Sequence, residues 1–211
     1  MRISKKFDGI FTIEGKLATL NYVPGKTVYG EKTVKVDKDE YRFWDAYRSK
    51  LAGAILKGLE SVPIKNRSSV LYLGASTGTT PSHVSDIVRG NGIVYCVEFA
   101  QRVLGDLIRV AETRDNMIPI FADARKPEDY ADHIEEKVDV IYQDVAQKDQ
   151  VRILAMNTEA YLKKGGEVLL CVKSQSIDVT KDPKKIYEQV LKELEEEGFT
   201  VLQTLELKPY D

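Results

Sequence analysis

The chain has 211 residues, 43% of them hydrophobic and 30% charged, with a formal net charge of −2. That length suits one sizeable domain with a small appendage, and the composition is that of an ordinary globular protein. The charge balance excludes a chain that holds nucleic acid by bulk positive charge, no apolar run is long enough to span a membrane, and the opening MRISKKFDGI lacks the apolar core of a signal peptide.

Residues 1–36 read as short β pieces. FDGIFTIEG and KLATLNYVPG alternate apolar and polar residues and end at Gly or Pro-Gly turns. The pattern predicts a small antiparallel β domain over 1–38, too thin to hold a core alone, and a second domain over 39–211. DEYRFWDAYRSKLAGAILKGLE, residues 39–60, reads as a helix because Phe43, Tyr47, Leu51, Ile55 and Leu59 recur at fours, with Asp37 or Asp39 as cap. From about residue 68 strands and helices alternate. The strands are SVLYLG, GIVYCVEF, MIPIFAD, VDVIYQDV, GEVLLCVKS and FTVLQTLEL; the helices cover roughly 80–89, 100–114, 149–163 and 183–197. Near-continuous apolar strands separated by helices predict an α/β fold, a parallel sheet covered on both faces. Cys96 and Cys171 each sit inside an apolar run and read as core thiols of a reducing compartment. No Cys/His spacing suggests a metal site.

In open α/β sheets ligands sit beyond the carboxyl ends of the strands, so LYLGASTGTT (residues 71–80) is the loop to examine. A triphosphate loop needs a Lys after its second glycine; Thr79 stands there. The dinucleotide fingerprint needs glycine at position 76, which is Ser. The remaining pattern, G-x-x-x-G-x-T from Gly74 through Gly78 to Thr80, suits a zwitterionic nucleoside such as S-adenosylmethionine; a purely structural turn is the alternative. Two acids favour the nucleoside. Glu98 ends the second strand, where a carboxylate accepts from ribose hydroxyls, or else caps the next helix. Asp123 ends the third strand, where it can accept from an adenine amine. Loop, acid and acid in this order favour a Rossmann-like methyltransferase over a nicotinamide enzyme.

The ends of the fourth and fifth strands bear on the acceptor atom. Amine methylation of nucleic acids calls for Asn/Asp-Pro-Pro-aromatic after strand four, and the sequence there is YQDVAQ. Carbon methylation of cytosine calls for a nucleophilic Cys at a strand's carboxyl end, where neither Cys is expected. A hydroxyl acceptor calls for cations that favour the developing alkoxide and a carboxylate that fixes them. Asp144 closes strand four and Lys173 closes strand five, with Lys50 available from the preceding helix. Desolvation lowers a lysine pKa and a nearby carboxylate raises it. Lys173 is assigned to steering and activating a ribose 2′-hydroxyl, Asp144 to orienting Lys173 and accepting the proton, and Lys50 to holding the hydroxyl. A surface salt bridge is the alternative for each lysine taken singly.

The residues resemble the fibrillarin family in its archaeal form. YRSKLAGAIL, VLYLGASTGTTPSHVSDIV, GIVYCVEFA, DVIYQDVAQ and KSQSIDVT match that family's motifs in order, and the resemblance extends over nearly the whole chain. It implies a Rossmann-like class I SAM-dependent methyltransferase sheet behind a small N-terminal β domain. The implied activity is guide-RNA-directed 2′-O-methylation of ribosomal RNA, and of transfer RNA, within a box C/D ribonucleoprotein. Implied partners are a Nop-type scaffold protein, a ribosomal-protein-like kink-turn binder, the guide RNA and the target rRNA. The resemblance adds Thr79, Thr80, Phe99, Ala124, Val145, Ala146 and Gln147 to Gly74, Gly78, Glu98, Asp123 and Asp144 as cofactor-site residues, with Phe99 against the adenine. It has Lys50, Asp144 and Lys173 match three members of a Lys-Asp-Lys-His set. The His opens a last strand that these residues do not include, so FTVLQTLEL is expected to show an open sheet edge, with reduced stability or activity. A Gly/Arg-rich tail is absent, which points to a cytoplasmic location. A scaffold-binding subunit without turnover and a protein methyltransferase are the competing readings.

Overall fold

The computed structural model describes residues 2–210. The N-terminal strands are β1 (Ile3–Phe7), β2 (Ile10–Ile13), β3 (Lys16–Leu20), β4 (Thr33–Val36) and β5 (Asp39–Phe43). They form one antiparallel sheet in the order β1-β2-β3-β5-β4. Alternation along the strands splits its side chains. Ile13, Ala18 and Tyr41 make a small cluster on one face, while Ile10 and Leu17 join the main core with Trp44. The sheet is thus completed by what it packs on.

The helix expected over 39–60 forms only in its second half. Residues 39–43 are β5, paired with both β3 and β4, so the antiparallel sheet runs five residues past the expected boundary at 38. A 3₁₀ turn over Ala46–Arg48 follows, and then helix α1 (Lys50–Leu56). Its cap is Ser49, not Asp37 or Asp39: the Ser49 backbone is extended and its Oγ accepts from Ala52 N at 3.4 Å. The four-residue spacing misled because Tyr47, one member of the supposed apolar stripe, is 68% exposed. DEYRF also satisfies a strand pattern, and two open strand edges select it.

The second sheet is parallel and five-stranded. Its members are β6 (Ser69–Leu73), β7 (Ile93–Glu98), β8 (Met117–Phe121), β9 (Val138–Gln143) and β10 (Leu162–Leu170), ordered β10-β9-β6-β7-β8. The intervening helices are α2 (Thr79–Val88), α3 (Gln101–Ala111) and α4 (Gln150–Tyr161), then α5 (Ser174–Ile177) and α6 (Pro183–Glu196). Strand period two sorts the core. Val70, Tyr72, Cys96, Val140 and Tyr142 face α1, α2 and the N-terminal sheet. Leu71, Leu73, Val97 and Ile141 face Ile153 and Leu154 of α4 and Ile186, Val190 and Leu194 of α6. The chain reverses direction across the sheet between β6 and β9, which makes their carboxyl ends the switch point where such sheets bind ligands. Among the described residues no helix is long and apolar enough to cross a membrane.

A buried ionic cluster joins the two sheets. Arg42 on β5 reaches Asp86 on α2 at 2.9 Å and Glu31 at 2.6 Å, while Arg114 reaches the other Asp86 oxygen at 2.8 Å. Thr19 Oγ1 donates to Asp86 at 2.7 Å and lies 2.7 Å from His83 Nδ1. With the Thr19 proton given to Asp86, His83 carries its proton on Nδ1, and Nε2 accepts from the Tyr29 hydroxyl at 2.8 Å. Burial first, then the charges of Arg42 and Arg114, push the His83 pKa well below its ordinary 6.5. The neutral ring stacks on Trp44 at 4.7 Å.

FTVLQTLEL does not form the expected strand. Residues 199–207 make no ladder bonds; instead Gln203 donates to Gly58 O and accepts from Glu60 N, each at 3.0 Å. The chain runs back along α1, and Tyr210 packs against Gly53 and Tyr47. Side-chain anchoring to the end of α1 has taken the place of sheet pairing. Val201 and Leu202 are left exposed.

Candidate active site

Strand β6 ends at Leu73 and the chain turns at Gly74, whose φ is +85°. Only glycine fits there. A Cβ at this position would lie 2.5 Å from the Asp144 carbonyl oxygen, because the loop crosses directly over the end of β9. Gly74 N and Ala75 N donate to Val97 O, and Asp144 N donates to Leu73 O, so three strand ends are laced together. Ser76 follows in the left-handed region at φ +50° and is held by Glu98, whose Oε2 accepts from Ser76 N at 2.8 Å. The other Glu98 oxygen accepts from Ala100 N at 2.8 Å at the start of α3. Of the two alternatives raised for Glu98, the capping role is seen: the buried carboxylate holds the start of α3 and also braces the glycine loop, with an acceptor lone pair on each oxygen to spare.

Gly78 starts α2 with φ +86° and supplies no side-chain cap. The first amides of α2, at Thr79 and Thr80, point out of a helix N-terminus, where a carboxylate is favoured. Thr80 is tied to the start of α1, its Oγ1 donating to Ser49 Oγ at 3.0 Å. On the other flank, Asp123 lies two residues past β8. It pairs with Arg125 at 2.6 Å, and that contact chiefly holds its pKa below the ordinary value. Ala124 and Val145 are buried, Ala146 is exposed, and Phe99 shows 55% of its surface at the sheet edge.

Lys50, Asp144 and Lys173 come together. Lys173 Nζ lies 2.9 Å from Asp144 Oδ1 and donates to the Asp144 carbonyl oxygen at 3.2 Å. Lys50 Nζ donates to Asp144 Oδ2 at 3.3 Å. Two ammonium groups thus share one carboxylate, leaving a net positive charge. All three side chains are between 17% and 27% exposed, sunk yet reachable. Lys173 lies three residues past β10 rather than at its end, and reaches Asp144 because Cys171 N still bonds to Gln143 O at 2.8 Å.

One expectation is corrected. Cys171 does lie at a strand's carboxyl end, directly after β10. It is no nucleophile: burial first, then the Asp144 charge, push its thiol up to about 12, and it is hydrogen-bonded with Tyr142. Reading from sequence also missed Ser49, Tyr72 and Tyr142, which pack beneath the lysines. A signal was available for the tyrosines: each stands two residues before Gly74 or Asp144, and so on the same strand face.

The donor set fits a methionine-bearing nucleoside: free amides at α2 for a carboxylate, Glu98 for ribose hydroxyls, and Asp123 with Gln147 for an adenine. The switch-point loop, the paired acids and the parallel sheet define a Rossmann-like class I S-adenosylmethionine-dependent methyltransferase. Comparison with known proteins narrows the class: residues 1–211 match the fibrillarin family model, and the chain belongs to that family. It is 50% identical to a fibrillarin-like rRNA/tRNA 2′-O-methyltransferase of Methanopyrus kandleri, over 98% of this chain and 91% of that one. The fold matches Aeropyrum pernix fibrillarin, whose crystal structure has S-adenosyl-L-methionine natively bound, with a TM-score of 0.92 and 44% identity, covering 100% and 94% of the two chains. A fibrillarin in complex with Nop5p matches with a TM-score of 0.89 and 41% identity, covering 99% and 95%.

Proposed function

We propose that this chain transfers a methyl group from S-adenosylmethionine to ribose 2′-hydroxyls of rRNA and tRNA, as the catalytic subunit of a guide-directed box C/D ribonucleoprotein. The observation that carries the reading is the carboxylate of Asp144, held between Lys173 and Lys50 at the lip of a nucleoside cradle. Bound there, S-adenosylmethionine supplies an electrophilic methyl on a sulfonium. The chain supplies the rest. The α2 amides and Glu98 fix the two ends of the nucleoside. Lys173 orients the hydroxyl and its charge favours the developing alkoxide, an effect that is stronger in a partly dry site than in water. Lys50 holds the hydroxyl from the other side. Asp144 keeps both ammonium groups aimed and offers the released proton an acceptor. In-line positioning accounts for the largest share, up to about 7–11 kcal/mol in favourable cases.

The chain's net charge of −2 fits an enzyme that leaves RNA recognition to others. A Nop-type scaffold is the supported partner, since a relative is known in complex with Nop5p. A kink-turn-binding subunit and the guide RNA complete the assembly by family resemblance. The test is labelled methyl transfer to guide-paired RNA, with and without the partners, using one substrate that lacks the target 2′-hydroxyl. Transfer should need the partners and that hydroxyl. Lys173→Ala should abolish it with cofactor affinity nearly unchanged; a large affinity loss would remove Lys173 from the catalytic role. Labelled protein in place of RNA would favour the protein methyltransferase.

A further inference from the structure

Beneath the two lysines lies a chain of buried hydroxyl and thiol groups. Ser49 Oγ accepts from Thr80 Oγ1 at 3.0 Å. Tyr72 and Tyr142 are register partners on the adjacent strands β6 and β9. Tyr142 in turn meets Cys171 Sγ at 3.1 Å. The two tyrosine rings stack at 4.5 Å, and Ser49, Tyr72, Thr80 and Tyr142 are all at least nine-tenths buried.

The sequence positions of these groups are informative. Ser49 immediately precedes Lys50, Tyr142 stands two residues before Asp144, and Cys171 stands two residues before Lys173. Tyr72 stands two before Gly74, the residue pressed against the Asp144 carbonyl. Each link therefore joins the neighbour of one site residue to the neighbour of another, across α1, α2, β6, β9 and the end of β10. Phenylalanine would fill the same space without the cost of burying a hydroxyl, and the Tyr142 hydroxyl finds its partner in Cys171.

We propose that this chain is the floor that sets the register of Lys50, Asp144 and Lys173, with Tyr142 and Cys171 as positioning residues for the Asp144–Lys173 pair. The proposal rests on the methyltransferase reading of that site. The floor works by fixed dipoles and stays neutral. Burial, with the Asp144 charge adding to it, pushes both tyrosines well above their ordinary 10 and Cys171 to about 12. Neither tyrosine nor Cys171 then competes with Asp144 for the two ammonium charges.

The test uses the full chain in the assembled complex with guide and target RNA. Tyr142→Phe keeps the ring stack and removes one hydroxyl; Cys171→Ala removes the far end of the chain and Cys171→Ser restores a hydrogen-bonding group there. The expected result for Tyr142→Phe and Cys171→Ala is a fall in kcat of about tenfold or more, since small misplacements at a reacting centre are costly. Affinity for S-adenosylmethionine should be unchanged, and Cys171→Ser should recover most of the rate. Val190→Ala, a truncation on α6 in the core cluster on the opposite face of the sheet, should lose stability without losing kcat. Wild-type kcat in both Tyr142→Phe and Cys171→Ala overturns the proposal while leaving the function intact. So does a rate loss that follows only the loss of thermal stability, Val190→Ala included. A wild-type complex without 2′-O-transfer overturns both.

Discussion

Replacing Gly74 by alanine tests how tightly the loop and the reacting carboxylate are coupled. The new Cβ would meet the Asp144 carbonyl oxygen at 2.5 Å and its carbon at 3.0 Å, both backbone atoms that cannot swing aside. Reaching an ordinary contact of 3.4 Å requires the loop and Asp144 to part by about 0.9 Å. Lys173 donates to that same carbonyl oxygen at 3.2 Å and pairs with the carboxylate at 2.9 Å, so the shift opens both contacts. A φ of +85° adds strain for any residue with a side chain, of order 1–3 kcal/mol. At about 2–4 °C per kcal/mol for a chain of this length, Tm should fall by several degrees. A displacement near 1 Å at the reacting centre should lower kcat by about a hundredfold. Scanning calorimetry and single-turnover methyl transfer at saturating cofactor measure the two separately. Wild-type kcat alongside a lowered Tm would refute the coupling and leave Gly74 with a conformational role alone.

Three other outcomes are expected. Arg42→Met leaves the buried carboxylates of Asp86 and Glu31 without a shared cation, so urea denaturation should report a loss of about 3–5 kcal/mol; a loss below about 1 kcal/mol would mean that the cluster reorganises freely. His83 has a folded pKa depressed below 6.5, so its contribution is fully present above pH 6.5 and is lost as pH falls toward the folded value. Wild-type stability should therefore fall by up to about 1.4 kcal/mol per pH unit below that point, and His83→Gln should flatten the slope; identical slopes would sink the assignment. Glu98→Gln replaces one of the oxygens that hold Ser76 N and Ala100 N with an amide that cannot accept. Calorimetric titration should show cofactor affinity reduced by about tenfold, and unchanged affinity would remove Glu98 from the cradle.

Local pattern determined much of this protein. The apolar runs ending at Leu73, Glu98, Phe121 and Gln143 gave strands in place, and their parallel arrangement follows from the helices between them. Residue order alone put Gly74, Glu98, Asp123, Asp144 and Lys173 at or just past strand ends, because a parallel sheet sends every carboxyl end to one edge. What local pattern left open was decided by contacts distant in sequence. DEYRF satisfies both a helix and a strand pattern, and β3 and β4 chose the strand. FTVLQTLEL reads as a strand yet pairs with no other strand, although the outer edge of β10 is open, since strand formation depends on tertiary contacts and not on composition. The burial of Arg42 and Arg114 around Asp86 could not be read from charge counts, because a charge is buried only where folding brings its partner. The distances of 2.9 Å and 3.3 Å that turn Lys173 and Lys50 from surface cations into a pair gripping Asp144 exist only once α1, β9 and β10 are packed.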